Sequence, residues 1–381
     1  MIRSQNQVCF APPTKLILFA HEYWRDAVPK CCVHIVESAD PKCTGIGKII
    51  LGLAQHSASS QYRLSALFFE DGPLRAEFES RGILTAMARW NGTYKDFLGA
   101  SRALRWIRQH KVQIVHIHHG GFAVRLLSRM AGALVVQHVH SEVFEPDLSP
   151  NSTSSFRCVD AVVANSQAVA DPIRNANAEV IYAGLDTSSD PPIPPAPGGP
   201  FRIGVLARLV PLKRIETVIE AHAKLTSMGL QIETDICGEG PSETALRRLA
   251  EDLGVGESVR FLGWRQDAPA LLKKWHLLAM PSMHEGFGIA GLEAMAAGRA
   301  VVASRVGGVP ELVEDGVSGI LIPAADTDAL VQSIWSLSVD RPKLNKMGYE
   351  GWKRANRLFS SQRMAEQTFA LYDRLLTRSS R

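Results

Sequence analysis

Pro281-Ser-Met-His-Glu-Gly-Phe-Gly-Ile-Ala-Gly-Leu-Glu-Ala-Met-Ala-Ala-Gly298 follows an apolar run of strand length, Leu277–Met280, and continues into residues spaced for a helix. Gly286 and Gly288 sit at the junction, where a missing Cβ lets the backbone come close to a ligand. The helix is expected to start near Gly288, so its first N–H groups and the positive end of its dipole face outward at the carboxyl end of a strand. Strand, glycine turn and helix in this order make a phosphate-binding arrangement. Glu285 precedes the helix and Glu293 lies more than a turn inside it, so the two carboxylates reach different parts of a ligand. Each can accept hydrogen bonds from vicinal hydroxyls, one from a sugar and the other from a ribose. The alternative is a bare strand-turn-helix unit with two surface glutamates, since glycine-rich turns recur throughout this fold class.

On either side of this stretch, apolar runs alternate with helical ones. Runs at 33–37, 64–69, 112–117, 134–139 and 161–164 are followed by Ser188-Ser-Asp-Pro-Pro-Ile-Pro-Pro-Ala-Pro-Gly-Gly-Pro200, after which the pattern restarts at 202–207, 231–237, 259–262, 277–280, 300–304 and 319–322. Such alternation predicts parallel sheets covered by helices on both faces, and the proline-rich segment reads as a linker. The fold class is therefore α/β, two Rossmann-like doubly wound domains facing across a cleft. The expected division is 1–187, a linker at 188–200, a second domain at 201–355 and a C-terminal helix at 356–381 that returns to the first domain. Residues 342–376 read as helices, with Trp352, Leu358, Phe359, Phe369, Tyr372 and Leu375 on the apolar face.

At 381 residues the chain exceeds what one hydrophobic core holds, in keeping with two domains. With 46% hydrophobic and 21% charged residues it reads as a globular chain. No run approaches the roughly 20 apolar residues of a membrane span. The early run at 16–20 is too short for a signal peptide and reads as a strand or ordered extension. Cys9, Cys31, Cys32, Cys43, Cys158 and Cys237 show no paired metal-binding spacing and read as reduced thiols. A net charge of +4 is too mild to imply nucleic-acid binding.

Four further stretches stand in register with the first: Gly204-Val-Leu-Ala-Arg208 followed by Lys213, Cys237-Gly-Glu-Gly-Pro241, Phe261-Leu-Gly-Trp264, and Gly307-Gly-Val-Pro-Glu-Leu-Val-Glu-Asp-Gly316. With Glu285 and Glu293 at the ends of an E-x7-E signature, the set resembles the retaining GT-B glycosyltransferases of family four, the glycosyl transferases group 1 of bacterial polysaccharide and glycolipid synthesis. The resemblance covers nearly all of 201–323 and thins across the N-terminal half. It implies that Arg208 and Lys213 clamp the donor diphosphate, chemistry that suits a guanidinium fork and an ammonium. It also places Glu285 on the transferred sugar, the backbone of Gly286, Phe287, Gly288 and Ile289 on sugar or phosphate, and Glu293 on the donor ribose. Trp264 and Arg265 fall near the base.

In the N-terminal half, Thr44-Gly-Ile-Gly-Lys48 resembles the family's glycine-rich loop opposite the donor phosphates, with Gly45 and Gly47 lining the crevice. Strand alternation sends His138 and His140 to one face. The resemblance places the active-site histidine at His140, while His118 and His119 line the cleft or cap the next helix, so that His118, His119 and His138 lie on the acceptor side. A metal site is the rival reading, and no accompanying carboxylate spacing supports it. Tyr182-Ala-Gly-Leu-Asp186 is similar to the family's N-G-V-D turn with Ala183 in place of asparagine. Asp326-Thr-Asp328 reads as a helix N-cap rather than a metal pair. Arg102, Arg105 and Arg108 recur at helical spacing beside apolar residues, which suits either peripheral contact with anionic membrane or a solvated basic face.

The expected reaction moves a hexose-type sugar from a nucleoside diphosphate sugar, the co-substrate, to a hydroxyl of a glycan or lipid-linked glycan, with retained configuration. No cofactor or metal is required on this reading, no nucleic acid is a partner, and the setting is the cytoplasm, at the inner face of the cell membrane if the basic strip touches lipid. Alternatives are a nucleotide-sugar epimerase or phosphorylase on the same frame, and a non-catalytic sugar-nucleotide-binding protein.

Overall fold

Parallel strands need crossover connections, and the helical stretches between the apolar runs supply them. The computed structural model describes residues 29–39, 44–57, 60–91, 96–141, 156–188, 190–196 and 198–379. The expected element at 16–20, Cys9 and Cys43 lie outside the described residues. The first sheet holds β1 (Lys30–Ser38), β2 (Tyr62–Glu70), β3 (Leu84–Met87), β4 (Ile114–Ile117), β5 (Leu134–Val139), β6 (Ala161–Ala164) and β7 (Glu179–Val180). Its helices are α1 (Thr44–Ser57), α2 (Pro73–Ser80), α3 (Phe97–Gln109), α4 (Phe122–Met130) and α5 (Gln167–Ala170).

The second sheet holds β8 (Phe201–Leu206), β9 (Ile232–Cys237), β10 (Val259–Gly263), β11 (Leu277–Met280), β12 (Ala300–Ser304) and β13 (Gly319–Ile322). With it go α6 (Ile215–Ser227), α7 (Glu243–Asp252), α8 (Ala268–Leu272), α9 (Ile289–Ala296), α10 (Val309–Leu312), α11 (Thr327–Val339), α12 (Arg341–Leu358) and α13 (Ser361–Ser379). β3 and β7 were not anticipated, because a four-residue, half-exposed strand and a two-residue one carry too little periodicity to register. Asp326 accepts from the Ala329 N–H at 2.8 Å and caps α11, as its place before that helix suggested.

The strand orders are β3-β2-β1-β4-β5-β6-β7 and β10-β9-β8-β11-β12-β13, all parallel. Each order reverses direction once, between β1 and β4 and between β8 and β11, and at such a switch point the crossovers diverge and leave a crevice beyond the strands' carboxyl ends. The two crevices face each other, so residues after β1, β5, β8, β9 and β11 share one space.

α13 packs on α1 of the first sheet rather than on the second. Phe369, Tyr372 and Leu375 join Ile49, Leu53 and Tyr62 in one core, and the Tyr62 and Phe369 rings stack at 5.0 Å. Asp373 accepts from the Tyr62 hydroxyl at 2.8 Å and pairs with Lys30 at 2.6 Å. The chain crosses between the sheets at two neighbouring places: the Leu185 N–H donates to the Phe359 carbonyl and the Ser361 N–H to the Leu185 carbonyl, each at 3.0 Å. Among the described residues no helix is long and apolar enough to cross a membrane.

Replacing Phe369 by Ala is expected to remove about 3 kcal/mol of stability, the usual cost of a large core truncation. Phe97→Ala, at a side chain 78% exposed, should change it by less than about 0.5 kcal/mol. Urea midpoints of the two variants decide whether α13 is part of the first core.

Candidate active site

The junction after β11 is built on two glycines with different tasks. Gly288 caps α9 with φ 96° and ψ 58°, a left-handed conformation that a side chain strains. Gly286 lies so close to the first sheet that an added Cβ would stand 1.9 Å from the His140 carbonyl oxygen. The Ser166 hydroxyl donates to the Gly286 carbonyl at 2.6 Å, and Asn165 Nδ2 donates to the His140 carbonyl at 2.9 Å. A second bond set reinforces this seam: Glu311, before the end of α10, accepts from the N–H groups of Gln167 and Ala168 at 2.7 and 2.8 Å and from the Tyr182 hydroxyl at 2.9 Å. It thereby satisfies donors at the start of α5 that a short helix leaves open.

Between the sheets lies a cleft of about 820 Å³. Gly45, His140, Arg208, Lys213, Trp264, Arg265, Glu285, Gly286, Phe287, Gly288, Ile289 and Glu293 all line it. The Lys213 ammonium donates to Glu285 Oε1 at 2.6 Å, and the Ser282 hydroxyl donates to the same oxygen at 2.8 Å. Glu293 pairs instead with Lys48 of α1, so each carboxylate has its own cation. Lys48, Ser282 and Glu239 were not singled out from sequence. Glu239, which also lines the cleft, accepts from the Trp264 N–H at 3.3 Å. Arg265 forms a double hydrogen bond with Asp267 at 2.7 and 2.8 Å.

Several expectations need correction. Gly45 and Gly47 are not in a loop: α1 begins at Thr44, so both lie in its first turns. Gly45 reaches the cleft, whereas Gly47 is buried against Leu74. His118 and His138 do not line the cleft but are buried behind His140, and the half-buried His119 also stays away from the cleft wall. The basic strip is partly spent within its own fold, because Arg102 donates to the Ala88 and Arg89 carbonyls and Arg108 to that of Met130. Arg105 is exposed.

His140 is the outermost of an array of five imidazoles. His34 on β1, His116 and then His118 at the end of β4, and His138 and His140 at the end of β5 project to one face by alternation. His34 Nδ1 lies 2.8 Å from His118 Nε2, and His118 Nδ1 lies 2.9 Å from His140 Nε2. A second file joins the Tyr372 hydroxyl to His116 Nδ1 at 2.6 Å and His116 Nε2 to His138 Nδ1 at 3.2 Å. Burial pushes His34 down to about 3 and holds the other four well below the usual histidine range, with neighbouring imidazoles adding to the effect. Ligand nitrogens of His116, His118 and His138 lie within 4.8 Å of one another, close enough to suggest a metal. The rings stack instead of converging, however. His116 and His118 are tilted by only 7° at 4.7 Å, so their in-plane lone pairs run side by side.

Two family models match the chain, "Glycosyltransferase Family 4" over residues 44–189 and "Glycosyl transferases group 1" over residues 186–354. The MMP alpha-(1->4)-mannosyltransferase of Mycolicibacterium hassiacum is 34% identical over 182 residues, 46% of this chain and 43% of that protein. The lipopolysaccharide core biosynthesis glycosyltransferase LpsE of Rhizobium meliloti is 29% identical over 221 residues, 53% of this chain and 61% of that protein. The chain thus spans about half the length of the curated relatives it matches. The crystal structure of Anabaena HepE in complex with UDP-glucose has a TM-score of 0.78 at 22% identity, covering 90% of this chain and 99% of the other, a likeness of fold.

Gly286→Ala is expected to force the two sheets apart at His140 and lower stability by about 1–3 kcal/mol, as overpacking does, and an unchanged melting temperature would refute the close contact. The imidazole array sets a pH dependence. In the unfolded chain these groups titrate near 6.5, above their folded values. Between the two, the unfolded state binds more protons, so stability is complete above pH 6.5 and falls as pH drops toward 3. Calorimetry should show a shallower acid loss in His116→Phe/His138→Phe than in the parent chain, provided the double variant folds at neutral pH.

Proposed function

The chain belongs to the family-four glycosyltransferases of GT-B fold, and from that premise we propose that it moves a hexose-type sugar from a nucleoside diphosphate sugar to a hydroxyl of a glycan or lipid-linked acceptor, with retention at the anomeric carbon. One observation carries the reading: the N-terminus of α9, Arg208 and Lys213 line the same cleft wall, and His140 comes in from the opposite sheet. The first N–H groups of α9 have no partner within the helix, and the dipole adds positive potential there. A diphosphate leaving group would gain charge as its bond to the sugar breaks, and fixed donors that need no reorganisation stabilise it most at that moment.

Glu285, oriented by Lys213 and Ser282, accepts from hydroxyls of the transferred sugar, and Glu293 from those of the ribose, with Trp264 and Arg265 beside the base. The acceptor oxygen attacks the face that the diphosphate leaves, and its proton passes to a departing phosphate oxygen. These fixed cations take the part a metal plays in other enzymes. We take 1–187 and 201–355 as the two domains and 188–200 as their linker. Peripheral membrane contact on the cytoplasmic face rests on Phe97 and Leu98, exposed at 78 and 72%, on the same helix as Arg105. Polysaccharide or glycoconjugate synthesis is the setting, in line with the lipopolysaccharide core relative.

UDP and UDP-glucose, bound by HepE, are the first ligands for a thermal-shift screen of nucleoside diphosphates and their sugars, since a ligand that prefers the folded state raises the melting point. Arg208→Ala/Lys213→Ala should abolish the shift and lower turnover by about a hundredfold or more. Undiminished turnover would overturn the assignment, and conversion of the sugar with its nucleotide still attached, without acceptor, would favour an epimerase.

A further inference from the structure

The proposed reaction uses only the outermost of the five imidazoles. A neutral imidazole has one N–H and one lone pair. In the file from His34 through His118 to His140, His118 must therefore donate at one junction and accept at the other. Only two proton arrangements exist. With protons directed inward, His140 Nε2 donates to His118, His118 donates to His34, and His34 Nε2 carries an N–H. That nitrogen is buried and has no hydrogen-bond partner among the described residues. With protons directed outward, the same nitrogen is only a bare lone pair. An orphaned buried N–H, with its concentrated positive charge, is the rarer and costlier of the two.

We propose that His34 and His118 are positioning residues whose ring-to-ring hydrogen bonds hold His140 with its proton on Nδ1, so that His140 meets the cleft as a hydrogen-bond donor. The second file holds the first in place: His138 stacks on His140 at 4.1 Å and His116 on His118 at 4.7 Å, while Tyr372 anchors its inner end. Burial without any carboxylate partner in the files keeps the rings neutral, which the alternation of donor and acceptor requires. As a donor, His140 recognises an electron-rich oxygen of the bound sugar and is unsuited to act as a general base. This role rests on the donor-site reading of the cleft.

The test is long-range 15N–1H NMR on the full chain labelled at histidine, which reports the protonated nitrogen without reference to activity. The parent chain should show His140 protonated on Nδ1, and a proton on Nε2 would overturn the proposal with no variant needed. His118→Asn, whose amide nitrogen can donate from the place of Nδ1, should keep this tautomer and most turnover. His118→Phe should move the proton to Nε2 and lower kcat by about tenfold, one hydrogen bond's worth, with nucleoside diphosphate affinity nearly unchanged. An unmoved proton in His118→Phe would refute the relay, as would tight uptake of one Zn²⁺ that His116→Phe abolishes. If the parent chain binds no nucleoside diphosphate, the donor-site reading fails while the tautomer measurement still decides the relay.

Discussion

The contact between the Gly286 backbone and the His140 carbonyl sets everything else in the cleft. It brings two main chains together, so close approach of backbone sets the spacing of the sheets at this point, and the Ser166 and Glu311 side chains add bonds across it. From that seam follow the placement of the α9 N-terminus opposite His140 and the reach of Lys48 from α1 to Glu293. Groups held this way lose little freedom when a ligand arrives, which is the condition for effective positioning.

The cleft's charges are arranged in pairs with different consequences. Lys213 and Lys48 each pair with one glutamate, which offsets the repulsion an anion would otherwise meet from those carboxylates. Arg208 and the α9 terminus line the same cleft and add positive potential to it. Beyond His140, the array carries no formal charge, which spares the first sheet the desolvation cost of burying cations.

Much of this was legible in the sequence, for identifiable reasons. Five of the strands, among them Leu277–Met280 and Leu134–Val139, fall on the apolar runs residue for residue, because buried parallel strands are apolar throughout. The E-x7-E stretch, Arg208 and Lys213 were found because they lie on local motifs. Lys48, Glu311 and Tyr182 were not given roles, since their partners sit on the other unit and depend on how the sheets face each other. Gly45 and Gly47 looked like a loop because glycines disfavour helices, yet packing of Ile49 and Leu53 extends α1 over them. His34 went unnoticed as one polar residue in an apolar strand. Its signal was the parallel register that sets it beside His116, which alternation within one strand cannot reveal.

The paired crossings at Leu185 and at Phe359 to Ser361 bear on how the two halves can move. Had the linker and the return of the last helix been far apart, they would have acted as two tethers and fixed the halves rigidly. Lying together, the two crossings constrain sliding of the halves more than rotation, and the bonds at Gly286 and Glu311 are what hold the angle. A ligand in the cleft would then have only to favour one angle over another, with the close approach at Gly286 limiting how near the halves can come.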